Sequence, residues 1–514
     1  AEEQSAHYAE AQRWYGQYLA SFPQDPDTAA VNYRLADLLL ENEDFLPAAL
    51  EYERTAYDYA AHAQAPAAGY AAIFAYRQHE AEATEAGRAE ARRQAVPGTL
   101  RFVDAYPDHE HAAVVLGAAV DDLYAMQEYA ATIERGRELL ESYPSADPAI
   151  VRSAWAAVAN AYLDTAQFVA AEHAYGQLLQ LIPPEDEAHQ AVVDNLAAAI
   201  YKQGEAARQL EDFRAAADHF LRIRAAAPTS AVRPAAEYDA AAALLVVQDW
   251  AGAAEVLQAF RQAFPEHELH ADATRQIAFA YREEGRLASA AEEYVRVADQ
   301  AEDPQLRGEA LLEAADLFEQ AGAGARALDV YLVYVAEFPE PVGMAVEVHH
   351  KIATKYAASG DDAARRQHLA SIIELDAAAG EQRTPRMRYL AAQASLDGAQ
   401  RAYESFAAVE LVQPFARSLE RKQALMDTTL ASLESLVDYE VAEVTAAATF
   451  YIGETYYEFS RSLLASERPS DLTPAELVDY EMVIEEEAFP FEELAIEIHE
   501  KNLELLVSGV FNRW

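Results

Sequence analysis

The sequence predicts an all-α chain, a solenoid of stacked helix pairs that gives way near its end to a region of longer helices. Three observations predict it. Alanine supplies much of a 52% hydrophobic fraction, and it is both the best helix former and small enough to let helices touch. Glycine and proline are few, 19 and 21 in 514 residues, and many fall between helical stretches. A frame of large, small and aromatic positions, about 34 residues long, recurs along the chain.

The elements follow in order. The opening AEEQSAHYAEAQ is already helical in character. With Trp14, Tyr15, Tyr18 and Leu19 it reads as the second helix of a pair lacking its first. Such a half either completes a neighbour's stack or belongs to a missing upstream repeat. Leu35, Ala36, Leu39, Ala48 and Tyr52 give the first full copy of the frame, and weaker copies cover 66–108 and 111–146. The clearest copy has Trp155, Val158, Ala159 and Tyr162 in its first helix, then Ala171, Tyr175, Leu178 and Pro183 in and after its second. Small residues sit where helices must meet, aromatics fill the groove between them, and proline ends the second helix. Equivalent positions hold Gly204, Ala216, Phe220, Ile223 and Pro228, then Ala241, Leu244, Ala253, Leu257, Phe260 and Pro265. Ile277, Ala278, Tyr281, Ala290, Tyr294 and Val297 follow, then Ala315, Phe318, Ala327, Tyr331, Tyr334 and Pro339, with a weaker copy at 342–380. An aromatic-proline step closes several copies, at Phe22-Pro23, Tyr106-Pro107, Tyr143-Pro144, Phe264-Pro265 and Phe338-Pro339.

On these residues, 1–383 resembles the tetratricopeptide repeat (TPR) superfamily. That resemblance implies a right-handed α-solenoid, or superhelix, of about nine to ten repeats, with a concave face lined mainly by first helices. It also implies a scaffold that binds proteins and is not an enzyme. The stretch from Tyr15 to Tyr59 is similar to repeats of bacterial periplasmic and envelope TPR proteins. From about residue 384 the frame fails, and 384–514 is expected to be a C-terminal region of long helices capping or extending the solenoid. Thr473-Pro474 with Glu476 marks the start of its last helix, a capping residue followed by proline at the first position. This tail, with Pro469, Tyr480, Pro490 and Gly509 to Trp514, resembles the C-terminal region of periplasmic TPR proteins found alongside TonB-type systems. The resemblance implies a periplasmic or exported location in the cell envelope.

Charge narrows the partners. A net charge of −48 disfavours nucleic acid, which needs a basic footprint, and anionic membrane surfaces. No apolar run reaches the ~18 residues of a membrane span, so no direct membrane insertion is expected. Only five of the 39 basic residues are lysine, and an acidic, lysine-poor surface of this kind fits a halophilic host in which salt screens self-repulsion. A melting temperature indifferent to molar salt would rule that out. Cysteine is absent, which excludes disulfides, thiolate metal sites and cysteine nucleophiles.

No nucleophile elbow, P-loop, dinucleotide fingerprint or zinc-helix motif is present, so no catalytic residue, cofactor or metal is expected. His109 and His111, His267 and His270, and the pair His349-His350 lack the i, i+4 spacing of a helical zinc site. The turn histidines read as solvent-exposed polar loop. Most of the 29 tyrosines belong to the core, but Tyr57, Tyr59, Tyr70 and Tyr76 lie off the repeat positions and are candidates to line a protein-binding groove. Trp14, Tyr15 and Tyr18 are candidates for contact with a neighbour. Two functions are expected: a non-catalytic interaction scaffold, or a structural subunit that self-assembles with copies of itself through end-to-end contacts into a filament, tube or ring.

Overall fold

The computed structural model describes the backbone of residues 2–507 and Trp514, and the side chains of 7–504 and Trp514. Every regular element among them is helical. A lone helix, α1 (Glu2–Ser21), comes first. Nine pairs follow: α2 (Thr28–Glu41) with α3 (Phe45–Tyr57), α4 (Ala65–Glu82) with α5 (Glu85–Ala105), and α6 (Ala112–Ala125) with α7 (Tyr129–Ser142). Next come α8 (Pro148–Asp164) with α9 (Phe168–Gln180), α10 (His189–Gln209) with α11 (Phe213–Ala226), and α12 (Arg233–Val246) with α13 (Trp250–Ala263). The last three are α14 (His270–Glu283) with α15 (Leu287–Gln300), α16 (Pro304–Gln320) with α17 (Gly324–Glu337), and α18 (Val342–Ser359) with α19 (Asp362–Ala378). Four longer helices end the chain: α20 (Pro385–Ala407), α21 (Phe415–Glu434), α22 (Ala442–Leu464) and α23 (Pro474–Val507). The leading half and the nine pairs thus stand where the repeat frame puts them.

The chain divides into two compact units, Ala1–Ala273 and Thr274–Trp514, with the boundary inside α14. Within each unit helices pack chiefly on their sequence neighbours, because a single amphipathic pair cannot bury its apolar face alone.

Eight of the nine pairs turn by the same backbone device. The first helix ends in a Schellman motif, with one residue in the left-handed region. In the α8–α9 turn, Ala166 N–H donates to the Leu163 carbonyl at 3.1 Å and Gln167 N–H to the Tyr162 carbonyl at 2.8 Å. The same two bonds recur around Glu43, Gln127, Glu211 and Gln248, and around Gly285, Gly322 and Gly360. All eight residues have φ between 58° and 81°. The five in the first unit are not glycine; the three in the second are. The α4–α5 turn differs, closing through extended Ala83.

Five of the corners that lead into a pair follow a second recipe. An aromatic-proline or aliphatic-proline step follows the preceding helix, and two or three residues after that proline a polar side chain accepts the backbone N–H two positions on. Asp25, Asp186 and Ser230 do this at 2.9–3.1 Å. His109 and His267 do it through Nδ1, each at 3.2 Å. The turn histidines are therefore not free polar loop: both are partly buried, and each sets its ring edge-on to a buried phenylalanine, Phe102 at 5.1 Å and Phe260 at 5.4 Å.

The frame residues form the core as their types require. Tyr52, Tyr175 and Tyr331 are almost fully buried, yet each hydroxyl reaches a first-helix acceptor fifteen residues earlier: Asp37, Asn160 and Asp316, all at 2.6 Å. A buried ring thereby keeps its polar tip satisfied. Gly204 leaves room for the Phe220 ring, whose atoms lie 2.5–2.9 Å from where a Cβ would stand.

The expected start of the last helix is present. Thr473 and Glu476 form a capping box, with Glu476 Oε2 accepting Thr473 N–H at 2.8 Å and Thr473 Oγ1 accepting Glu476 N–H at 3.4 Å. Pro490 lies inside α23 without ending it. Gly509, named in the tail resemblance, lies outside the described residues. No described helix is long and apolar enough to cross a membrane.

Candidate functional site

The tyrosines off the repeat frame do not share one environment. Tyr76 is 4% exposed in the core built by α2 to α5, where burial and the nearby Glu53 carboxylate push its hydroxyl above the ordinary tyrosine range. It packs the fold and offers no face to a partner, because its position on α4 points toward α3 and α5. Tyr57 stacks on Tyr106 at 6.1 Å under the Arg101 guanidinium at 4.1 Å. Burial pushes its hydroxyl well above the ordinary tyrosine range. Tyr59 is half-buried, its hydroxyl 3.3 Å from Asn32 Oδ1.

Tyr70 is the one that faces solvent, 38% exposed. It is braced by stacking on His111 at 4.4 Å and by contact with Phe102 at 6.0 Å, so the Tyr57, Tyr106, Phe102, Tyr70 and His111 rings form one continuous aromatic cluster. One helical turn after Tyr70, Phe74 is 52% exposed. The i, i+4 spacing places both rings on one face of α4. On α6, the next first helix, Val114 is also exposed. Nothing in the sequence marks Phe74 apart from the core aromatics; only its phase on α4 shows that it points outward.

On α1, Tyr15 and Tyr18 pack against the core of α2 and α3, and Tyr18 meets Phe22 at 5.3 Å. Trp14 is 55% exposed, with the Arg13 guanidinium 5.4 Å above it.

Neighbouring first helices of the first unit are joined by side-chain bonds. Tyr124 Oη donates to Asp164 at 3.1 Å and Ser153 Oγ to Asp121 at 2.8 Å. Tyr201 bonds Asp239, and Tyr238 bonds Asp272. Burial and the Asp164 bond push the Tyr124 hydroxyl up to about 12. These carboxylates and phenols are thus tied into structure. A deeper ion pair sits at the α11–α12 corner, where the fully buried Glu237 accepts from Arg224 at 2.8 and 2.9 Å and from Arg233 at 2.8 Å. Burial opposes its charge, but the two guanidiniums prevail and hold the carboxyl below its ordinary value.

In the second unit, His349 and His368 face each other, Nδ1 to Nδ1, at 2.8 Å, and Tyr356 stacks on His368 at 5.7 Å. Burial, reinforced by His368, lowers the His349 imidazole to about 4. Burial also lowers His368 and His350. One imidazole donates to the other and both are neutral at pH 7. Among the described residues no group of three or more metal-binding side chains converges. The arrangement supplies side-chain bonds and exposed rings along helix faces.

No family model matches the chain, and no curated protein does. Among solved structures it is similar to YrrB, described as a TPR protein with an unusual peptide-binding site, at 17% identity and a TM-score of 0.23, covering 41% of this chain and 96% of that one. It is similar to a tetratricopeptide repeat protein from Parabacteroides merdae at 12% identity and 0.23, covering 55% and 98%. The TPR domain of P58(IPK) matches at 13% and 0.22, covering 76% and 99%. At these TM-scores the superpositions carry no weight of their own; the TPR resemblance stands on the paired helices and their repeat frame.

Proposed function

We propose that the chain is a non-catalytic protein-binding scaffold that holds a partner against its first helices. The observation that carries this reading is the braced pair Tyr70 and Phe74: two aromatic rings on one exposed helix face, one of them fixed by stacking on His111. Rigid, half-exposed aromatics are the side chains that dominate protein interfaces, because burying them costs little conformational entropy. Tying neighbouring first helices together through Tyr201–Asp239 and Tyr238–Asp272 supports the same reading, since a pre-ordered surface loses less on binding. A location outside the cytoplasm is part of the proposal and is supported by the resemblance of the Tyr15–Tyr59 stretch to envelope TPR repeats.

The test uses the full chain immobilised against envelope and cytoplasmic extracts, alongside a Phe74→Ser variant and sedimentation of the pure protein. The reading expects a discrete partner from the envelope extract that Phe74→Ser loses, and a sedimenting species that does not polymerise. A partner retained equally by Phe74→Ser would remove the α4 face from the reading. Regular polymers in molar salt would replace the scaffold with the self-assembling subunit.

A further inference from the structure

The last helix has two apolar faces, and among the described residues only one of them is covered. Ile484, Ala488 and Ala495 are buried, with Phe491 half-buried on the same side. On the opposite side Met482, Phe489, Ile496 and Leu503 are between 57% and 62% exposed, and Val478 is 59% exposed. The four recur at intervals of seven residues, about two helical turns each, which keeps them in one stripe along the helix. Glutamates alternate with them along the same stripe: Glu485 between Met482 and Phe489, Glu493 between Phe489 and Ile496, Glu500 between Ile496 and Leu503. α23 carries eleven acidic residues and one cation, Lys501, and that cation is already paired with Glu497 at 2.6 Å.

We propose that this outer face of α23 docks a basic amphipathic helix of another protein. Four large apolar side chains in register on solvent invite burial, and the heptad interval specifies a helix as what covers them. Charge then selects which helix. A second copy would bring glutamate against glutamate at every step of the seam, which destabilises such packing. A helix with Lys or Arg alternating with its apolar residues places a cation opposite each of Glu485, Glu493 and Glu500. The inference rests on the scaffold reading only in treating the chain as a binder; its surface is separate from Tyr70 and Phe74.

The experiment measures fluorescence anisotropy of two labelled synthetic helical peptides against the full chain. One peptide has leucine every seven residues flanked by lysine and arginine; the other keeps the leucines and carries glutamate instead. The basic peptide is expected to bind, to weaken as salt rises, and to lose roughly tenfold or more of its affinity to a Phe489→Ser, Ile496→Ser variant. Both residues are exposed, so the variant keeps its fold, which circular dichroism checks. The acidic peptide is expected not to bind. Equal binding of the basic peptide by the variant would reduce the contact to unspecific charge and overturn the proposal, as would absence of binding. A concentration-dependent dimer abolished by the same two substitutions would overturn it in favour of a second copy. Phe74→Ser is expected to leave peptide binding unchanged, so failure here and failure of the α4 reading are told apart.

Discussion

Replacing Ala166 by glycine should stabilise the first unit. Ala166 sits at φ 58° in the α8–α9 turn, where its Cβ crowds the following carbonyl at a cost of roughly 1–2 kcal/mol for an L-residue. Alanine has no side-chain hydrogen bond to offset this, and the two bonds that close the turn are made by backbone N–H groups, at 3.1 and 2.8 Å. Glycine keeps both bonds and removes the crowding. Against this stands the larger entropy that glycine loses on folding, roughly 0.5–1 kcal/mol. The difference leaves a gain of about 0.5–1 kcal/mol, or about 1–4 °C in the midpoint of a unit of this size. The reverse exchange is available in the second unit: Gly322, at φ 74° with nothing within 4 Å of an added Cβ, should lose about 1 kcal/mol as Gly322→Ala. Thermal unfolding followed by circular dichroism and calorimetry reads both. A lower midpoint for Ala166→Gly, or an unchanged one for Gly322→Ala, would refute the assignment of strain to these turns.

Three further outcomes are expected. Gly204→Ala forces a Cβ to within 2.5 Å of the Phe220 ring and should cost about 1–3 kcal/mol by overpacking, read by urea unfolding; no loss would mean the ring has room to move. Glu237→Gln should cost about 2 kcal/mol at pH 7, less than a wholly buried pair because Arg224 and Arg233 are partly exposed. Because its folded carboxyl is held below the unfolded value, its contribution is present above pH ~4.5 and is lost as pH falls through the folded pKa, so the variant should flatten that part of the acid limb. His349→Phe should flatten the stability of the second unit between pH ~6.5 and about 4: the imidazole is lowered to about 4 in the fold, so protonation favours the unfolded chain across that window and stability falls as pH drops. An unchanged pH profile in urea melts would show that the His349–His368 contact does not set it.

How much of this was legible in the sequence depended on whether side-chain type or backbone phase decided the feature. The paired helices were, because Ala171, Tyr175, Leu178 and their equivalents are dictated by burial, and they are buried. The start of α23 was, because Thr473 and Glu476 carry the capping chemistry in their side chains. The Schellman turns were not, since backbone bonds close them whatever the residue, and five of eight lack the glycine that would announce them. Tyr76 and Phe74 show the same limit in the candidate site: two aromatics two residues apart on α4, one in the core and one in solvent, separated only by 200° of helical phase. The outer stripe of α23 was hidden because glutamates alternate with its apolar residues.

The turns have a mechanical consequence. In the first unit each hairpin is closed by its own backbone and leans chiefly on the pairs beside it. Drawn out from its ends, such a stack would yield one hairpin at a time at low and nearly even force. Each released pair would hold the ready-made bonds of its own turn for rewinding when the load is removed. The unit would behave as a compliant spring, able to follow the movement of whatever it is attached to without breaking as a whole.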